Sequence, residues 1–199
     1  MARSITDQLR HPDWLGEMQV AVGAAAAFLV AAILVDGARS LTGDTPVEVQ
    51  LDALEVSDLA LPPGTHPASW GSIDLAITDP SAAQRLWGLL GWLPARLVLL
   101  AVAVLLWRAL WVARRRDPFA AEVVRGVRVS AFVLLGGGCA AAVAAPLASL
   151  ALARTVETEA LAFSFSVNPV WVLAGVGFLA VGEILRRGRR LRDELAEVI

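Results

Sequence analysis

The sequence predicts an all-α integral membrane protein. We expect a four-transmembrane-helix bundle, with a small extracytoplasmic antiparallel β-sheet formed by the loops between helices 1 and 2 and between helices 3 and 4. Of the 199 residues, 57% are hydrophobic, which exceeds the usual apolar share of a soluble domain, about 45–50%. Four apolar stretches approach the roughly 20 residues that cross a bilayer. Arginine and acidic residues are divided sharply between the segments that connect these stretches, which predicts a defined orientation.

The predicted membrane spans cover residues 18–35, 97–112, 129–152 and 170–185. The second span has an alternative start near residue 86. Residues 82–93 form either a separate interfacial helix or the first part of one long helix that is kinked near Pro94. Asp79 and Pro80 are suitable for the cap and the first position of that helix.

The connecting segments indicate which ends of the spans face the cytoplasm. Twelve arginines lie in the segments predicted to be cytoplasmic, 1–17, 113–128 and 186–199, whereas three lie in the other loops, 36–85 and 153–169. The first of these other loops is acidic, with eight acids against two arginines. Because basic residues are retained on the cytoplasmic side, we expect a multi-pass protein of the plasma membrane, in bacteria the inner membrane, with both termini in the cytoplasm.

Three segments of the outer loops alternate apolar and polar side chains, as strands with one buried face do. Two lie in the first loop, at residues 47–53 and 73–78, and the third lies at residues 161–167. An isolated hairpin is only marginally stable, so we expect the third strand to complete a sheet. Such a sheet is either a sensor or partner-docking module or a lid that ties the outer helix ends together.

Three ionisable side chains lie within or beside the spans, where such groups are candidates for function. Arg96 and Arg108 are near span ends, so each either extends its charge to water or lines a path through the membrane. Glu183 is expected to pair with Arg108, Arg125 or Arg128 at the cytoplasmic helix ends. A transporter or transporter-accessory subunit that uses Arg96, Arg108 and Glu183 is therefore an alternative function.

Two cytoplasmic segments carry ordered patterns. In the first, Asp117 is placed to cap a helix that begins at Pro118, with Phe119 at the membrane interface. In the second, the last span continues as an arginine-rich helix that ends the chain. The candidate cytoplasmic interface comprises Pro118, Phe119, Arg186, Arg187, Arg189, Arg190, Leu191 and Leu195. It suits anionic lipid, a protein partner or a second copy of the chain.

The same two segments carry a family resemblance. Pro118 and Phe119 are followed by Arg125 and Arg128, and the final segment reads GEILRRG at 182–188 and LRDEL at 191–195. With these motifs and four spans, the chain resembles a bacterial family of small membrane proteins known as "domain of unknown function 2975". The resemblance implies an integral membrane protein without established activity, of a kind often encoded beside small helix-turn-helix regulators.

The composition leaves few residues for catalysis. The chain has one cysteine and two histidines, no zinc-binding His-Glu-x-x-His helix, and no histidine near a serine at membrane depth. Its net charge of −2 is unlike that of a nucleic-acid-binding domain. We therefore expect no enzymatic activity, no cofactor and no direct nucleic-acid partner, and we favour a sensory, regulatory or partner-binding membrane component.

Overall fold

The structure is a computed structural model that describes residues 14–42, 47–52, 72–77, 79–155 and 168–196. Its elements, in chain order, are helix α1 (Trp14–Thr42), strands β1 (Val47–Asp52) and β2 (Ser72–Ile77), and helices α2 (Ala82–Arg115), α3 (Ala121–Thr155) and α4 (Pro169–Ala196). All four helices of the described residues are long and apolar enough to cross a membrane. The chain is therefore a multi-pass membrane protein.

The helices extend beyond the predicted spans, because a hydropathy pattern detects only the apolar part of a helix. The second span is one continuous helix that contains Pro94, so the alternative of one long helix is the one observed. Its cap differs from the expected one. The Ser81 hydroxyl accepts a hydrogen bond from the backbone N–H of Gln84 at 3.3 Å, and the backbone N–H of Ser81 donates to Gln84 Oε1 at 2.8 Å. This reciprocal capping box replaces the predicted Asp79–Pro80 start.

The predicted fold class is wrong in its β-sheet. Apart from the four helices, the described residues contain only a two-stranded antiparallel ribbon, in which β1 pairs with β2. Both strands come from the first loop, so the ribbon is not a sheet shared by two loops. The third expected strand, residues 161–167, lies outside the described residues. The fold class is therefore that of an all-helical membrane protein with one short ribbon.

The chain divides into two compact units. One unit includes residues 31–97 and 137–168. Within it, Val47 and Ile77, which are paired across the ribbon, pack with Trp87 of α2 against the buried Leu152 of α3. The ribbon gains the apolar support that an isolated hairpin lacks.

The other unit includes residues 1–30, 98–136 and 169–199. One buried cluster in it consists of Val112 and Ala113 of α2 and Val123 of α3, with Ala120 and Leu185 packed against them. These residues bring the end of α2, the start of α3 and the middle of α4 together. The arginine-rich segments identified from the sequence lie in this unit.

Candidate functional site

Six residues join the α2–α3 connection and the first part of α3 to α4, and we call this group the tail junction. Its members are Asp117, Phe119 and Arg128 on one side and Glu183, Gly188 and Arg192 on the other. Glu183, Gly188 and Arg192 follow one another along α4, and their partners are Arg128, Phe119 and Asp117 in that order. The partners' residue numbers decrease as those of α4 increase, so the two segments run antiparallel.

Glu183 is the charged centre of the tail junction. Its carboxylate accepts hydrogen bonds from Arg128 Nη2 of α3 at 3.2 Å and from Arg186 Nη2 at 2.7 Å. Arg187 Nε donates to the same carboxylate at 3.2 Å. One acid thus holds three guanidinium groups, and the local charge remains positive. Of these contacts, the one with Arg128 joins α4 to α3, and because hydrogen bonds between charged groups are stronger than neutral ones, it favours the observed rotation of α4 against α3.

The α2–α3 connection is a tight turn that begins at Asp117. The Ala120 N–H donates to the Asp117 carbonyl at 3.0 Å, with Pro118 in the second position, where its fixed φ is favourable. The Phe119 N–H donates to Asp117 Oδ1 at 3.0 Å. Helix α3 consequently begins at Ala121, not at Pro118 as the sequence predicts.

The other carboxylate oxygen of Asp117 forms an ion pair with Arg192 of α4. The pKa of Asp117 is lowered, mainly by the hydrogen bond from the Phe119 N–H; desolvation opposes this effect, and the charge and hydrogen bond of Arg192 add to it. The carboxylate therefore stays ionised well below neutral pH. Turn and tail are connected by a charge that persists across the physiological pH range.

Two glycines of α4 make the close approach sterically feasible. A Cβ at Gly188 would lie 2.9 Å from Cε1 of Phe119, and a Cβ at Gly182 would lie 3.1 Å from Cγ of Arg128. Small residues commonly admit close helix contacts in membrane proteins. The aromatic ring of Phe119 thus occupies space that any other residue at position 188 would fill.

The remaining residues of the predicted site are not members of the tail junction. Arg108 and Arg125 are exposed, and in the described part of the chain neither forms an ion pair with Glu183. Arg189 pairs with Asp193 within α4 at 3.7 Å. Four further members of the predicted interface are exposed and lie beside the junction: Pro118, Arg190, Leu191 and Leu195.

Arg96 belongs to a different cluster in the other unit. It forms an ion pair with Asp36 of α1, and its guanidinium lies 4.3 Å from the ring centroid of Trp92. Arg85 Nη1 donates to the carbonyl of Leu41 at 2.8 Å and so satisfies a group at the C-terminal end of α1. These contacts connect α1 to α2, and they give the charge of Arg96 a structural role.

Sequence reasoning missed two partners. Asp117 was interpreted only as a cap, and no local pattern connects it with a residue 75 positions away. Asp36 did have a signal. It directly follows the predicted first span, and Arg96 directly precedes the second, so antiparallel spans place the two charges at one depth.

Among the described residues, no group of three or more His, Cys, Asp or Glu side chains could hold a metal ion.

A family model described as "Protein of unknown function (DUF2975)" matches residues 55–199. This range includes the whole tail junction as well as α2, α3 and α4. No curated protein and no solved structure matches the chain.

Proposed function

The chain belongs to the family described as "Protein of unknown function (DUF2975)", and we propose that it is a non-enzymatic regulatory membrane protein that binds a protein partner through the tail junction. The partner is a cytoplasmic or membrane regulatory protein or a second copy of the chain. The proposal rests on one observation, the docking of the arginine-rich end of α4 on the turn between α2 and α3.

The docking supports a binding role because it presents two distant segments as one surface. The ion pair of Asp117 with Arg192 and the contact of Phe119 with Gly188 fix the turn against the tail. Arg190, Leu191 and Leu195 remain exposed beside these contacts. Exposed apolar side chains flanked by arginine are typical of protein interfaces, in which arginine is enriched.

The distribution of arginine supports a cytoplasmic position for this surface. Both the turn and the tail belong to the arginine-rich segments, whereas the loop that holds the ribbon is acidic. Under the positive-inside rule, the termini and the tail junction face the cytoplasm of a bacterial plasma membrane, and anionic lipid lies beside them.

The alternative, a transporter or its accessory subunit, has weaker support. It requires Arg96, Arg108 and Glu183 to line a path. Arg96 is paired with Asp36, and Glu183 is paired with three arginines. Each contact satisfies the charge locally, as a structural ion pair does. Replacing Glu183 and Arg108 singly and together separates the two functions, because transport residues affect flux while the fold stays intact.

Affinity purification of the full chain in mild detergent tests the proposal. We expect a stoichiometric protein partner, or a homo-oligomer, to be retained with the wild-type chain and lost with Asp117→Asn. Asp193→Asn is the matched control, because among the described residues Asp193 pairs within α4 and its loss leaves the contacts of the tail junction in place. A monomer without partners, or equal retention by both variants, would contradict the proposal.

A further inference from the structure

Helix α2 has an exposed face that the tail junction does not use. Val104, Arg108, Trp111 and Arg115 follow the spacing of residues on one helical face. All four are exposed, Val104 by 50% and Trp111 by 39%. In a helix that crosses a membrane, such a face is directed at lipid or at another protein.

The rest of this part of α2 is packed against protein. Ala109, Val112 and Ala113 are buried. A Cβ added at Gly126 of α3 would lie 3.2 Å from the Cβ of Ala109. Trp107, on a third side, lies against Gly23 of α1. The exposed face is therefore a defined surface of a helix whose rotation is fixed by its neighbours.

The two arginines of this face lie on either side of Trp111. The Cζ atom of Arg115 lies 4.4 Å from the ring centroid of Trp111, so the side chain is directed back along the helix. Trp111 follows Arg108 by three residues, which is about 4.5 Å along the axis. The cation–π contact favours this position of Arg115, and Arg115 is exposed.

Arg108 offers a positive charge to an anion at this position. It lies inside the second membrane-crossing helix, and in the described part of the chain no carboxylate forms an ion pair with it. A charged side chain at membrane depth is costly unless it is paired or hydrated. The planar fork of a guanidinium group matches the oxygens of a phosphate, and indole rings prefer the depth of lipid headgroups.

We propose that Arg108, Trp111 and Arg115 form a binding site for the phosphate group of an anionic phospholipid. The lipid belongs to the leaflet at the arginine-rich ends of the helices. Two positive charges favour a headgroup with net negative charge over a zwitterionic one, whose amine opposes them. The site is separate from the tail junction and does not depend on its function.

Native mass spectrometry of the full chain in mild detergent tests this site, with phosphatidylglycerol and phosphatidylcholine as the added lipids. We expect the wild-type chain to bind phosphatidylglycerol preferentially. Arg108→Gln should weaken that binding about tenfold, as the loss of one charged hydrogen-bonding partner does. Arg115→Gln should have a similar effect. The double variant should add little, because one phosphate uses both side chains.

Arg125→Gln is the matched control, since Arg125 is also exposed and its replacement removes the same charge from a different helix. It should leave phosphatidylglycerol binding within about twofold of the wild-type value. Arg108→Lys is a second variant that keeps the charge but loses the planar guanidinium group, so its affinity should lie between those of the wild type and Arg108→Gln. It tests the site even if Arg108→Gln fails to fold. Equal weakening by Arg125→Gln and Arg108→Gln would overturn the site in favour of diffuse attraction. Unchanged lipid binding with loss of a dimer would instead identify a carboxylate of a second copy as the partner of Arg108.

Discussion

At the scale of residues, Asp117 connects local structure with tertiary structure. Its carboxylate accepts the Phe119 N–H within the turn and pairs with Arg192 of α4. The sequence predicts the first role, because aspartate commonly caps and turns the backbone. It does not predict the second, because the pairing depends on how closely α4 approaches, which Gly182 and Gly188 determine.

The lowered pKa of Asp117 predicts a specific dependence of stability on pH. A group whose pKa is lower in the folded state stabilises the fold fully above its unfolded pKa, about 3.9, and this contribution is lost as pH falls through the lowered value. Thermal unfolding in detergent should therefore show a constant difference between wild type and Asp117→Asn from pH 7 to about pH 5. The difference should shrink below about pH 4. A difference that grows on acidification would contradict the assigned ion pair.

Glu183 shows how far residue-level prediction extends. The sequence limits its partners to three arginines at similar depth, and the structure places Arg128 beside it at 3.2 Å. Depth alone does not discriminate between Arg108, Arg125 and Arg128, because the choice depends on which face each helix turns toward α4. The same reason explains why Arg108 is exposed on a separate face.

At the scale of elements, hydropathy predicts the helices because membrane spans need long apolar stretches. Their ends follow from local hydrogen bonding instead. Ser81 and Gln84 begin α2, and the turn at Asp117 delays α3 to Ala121. The alternation in the first loop predicts where β1 and β2 lie, and their register places Val47 opposite Ile77. It does not predict the ribbon's support, which comes from Trp87 and Leu152.

The contact between α3 and α4 predicts opposite effects of two glycine substitutions. A Cβ at Gly175 would lie 2.6 Å from Cγ of Leu135 and 3.4 Å from the carbonyl oxygen of Ala131. Gly175→Ala should therefore destabilise the protein by about 1–3 kcal/mol through overpacking. Thermal unfolding in detergent measures the effect.

Gly177→Ala is the control on the same helix, because a Cβ at Gly177 meets nothing within 4 Å. It should leave stability unchanged or raise it by up to about 1 kcal/mol, the difference in helix propensity. Similar destabilisation by both alanines would show that α4 does not pack on α3 as described.

At the scale of the whole molecule, orientation is the property that charge composition predicts most directly. A net charge of −2 conceals an acidic first loop and arginine-rich connections. We expect a cysteine introduced at the exposed position of Asp79 in the first loop, in a chain with Cys139→Ala, to react with a membrane-impermeant maleimide in intact cells. The comparison is a cysteine at the exposed position of Arg190, which should react only after permeabilisation. Position 130 is unsuitable for this comparison because it is buried. Labelling in the reverse pattern would invert the proposed topology.

The central claim is that the end of α4 docks on the turn between α2 and α3. Disulfide trapping tests it most directly, with cysteines at positions 119 and 188 of the full chain in native membranes and Cys139 replaced by alanine. This pair leaves the ion pair of Asp117 with Arg192 in place. The control places the second cysteine at position 190, about 200° away around the helix from position 188. The account predicts rapid intramolecular crosslinking of the 119–188 pair and slow crosslinking of the 119–190 pair. Equal rates for the two pairs would contradict it.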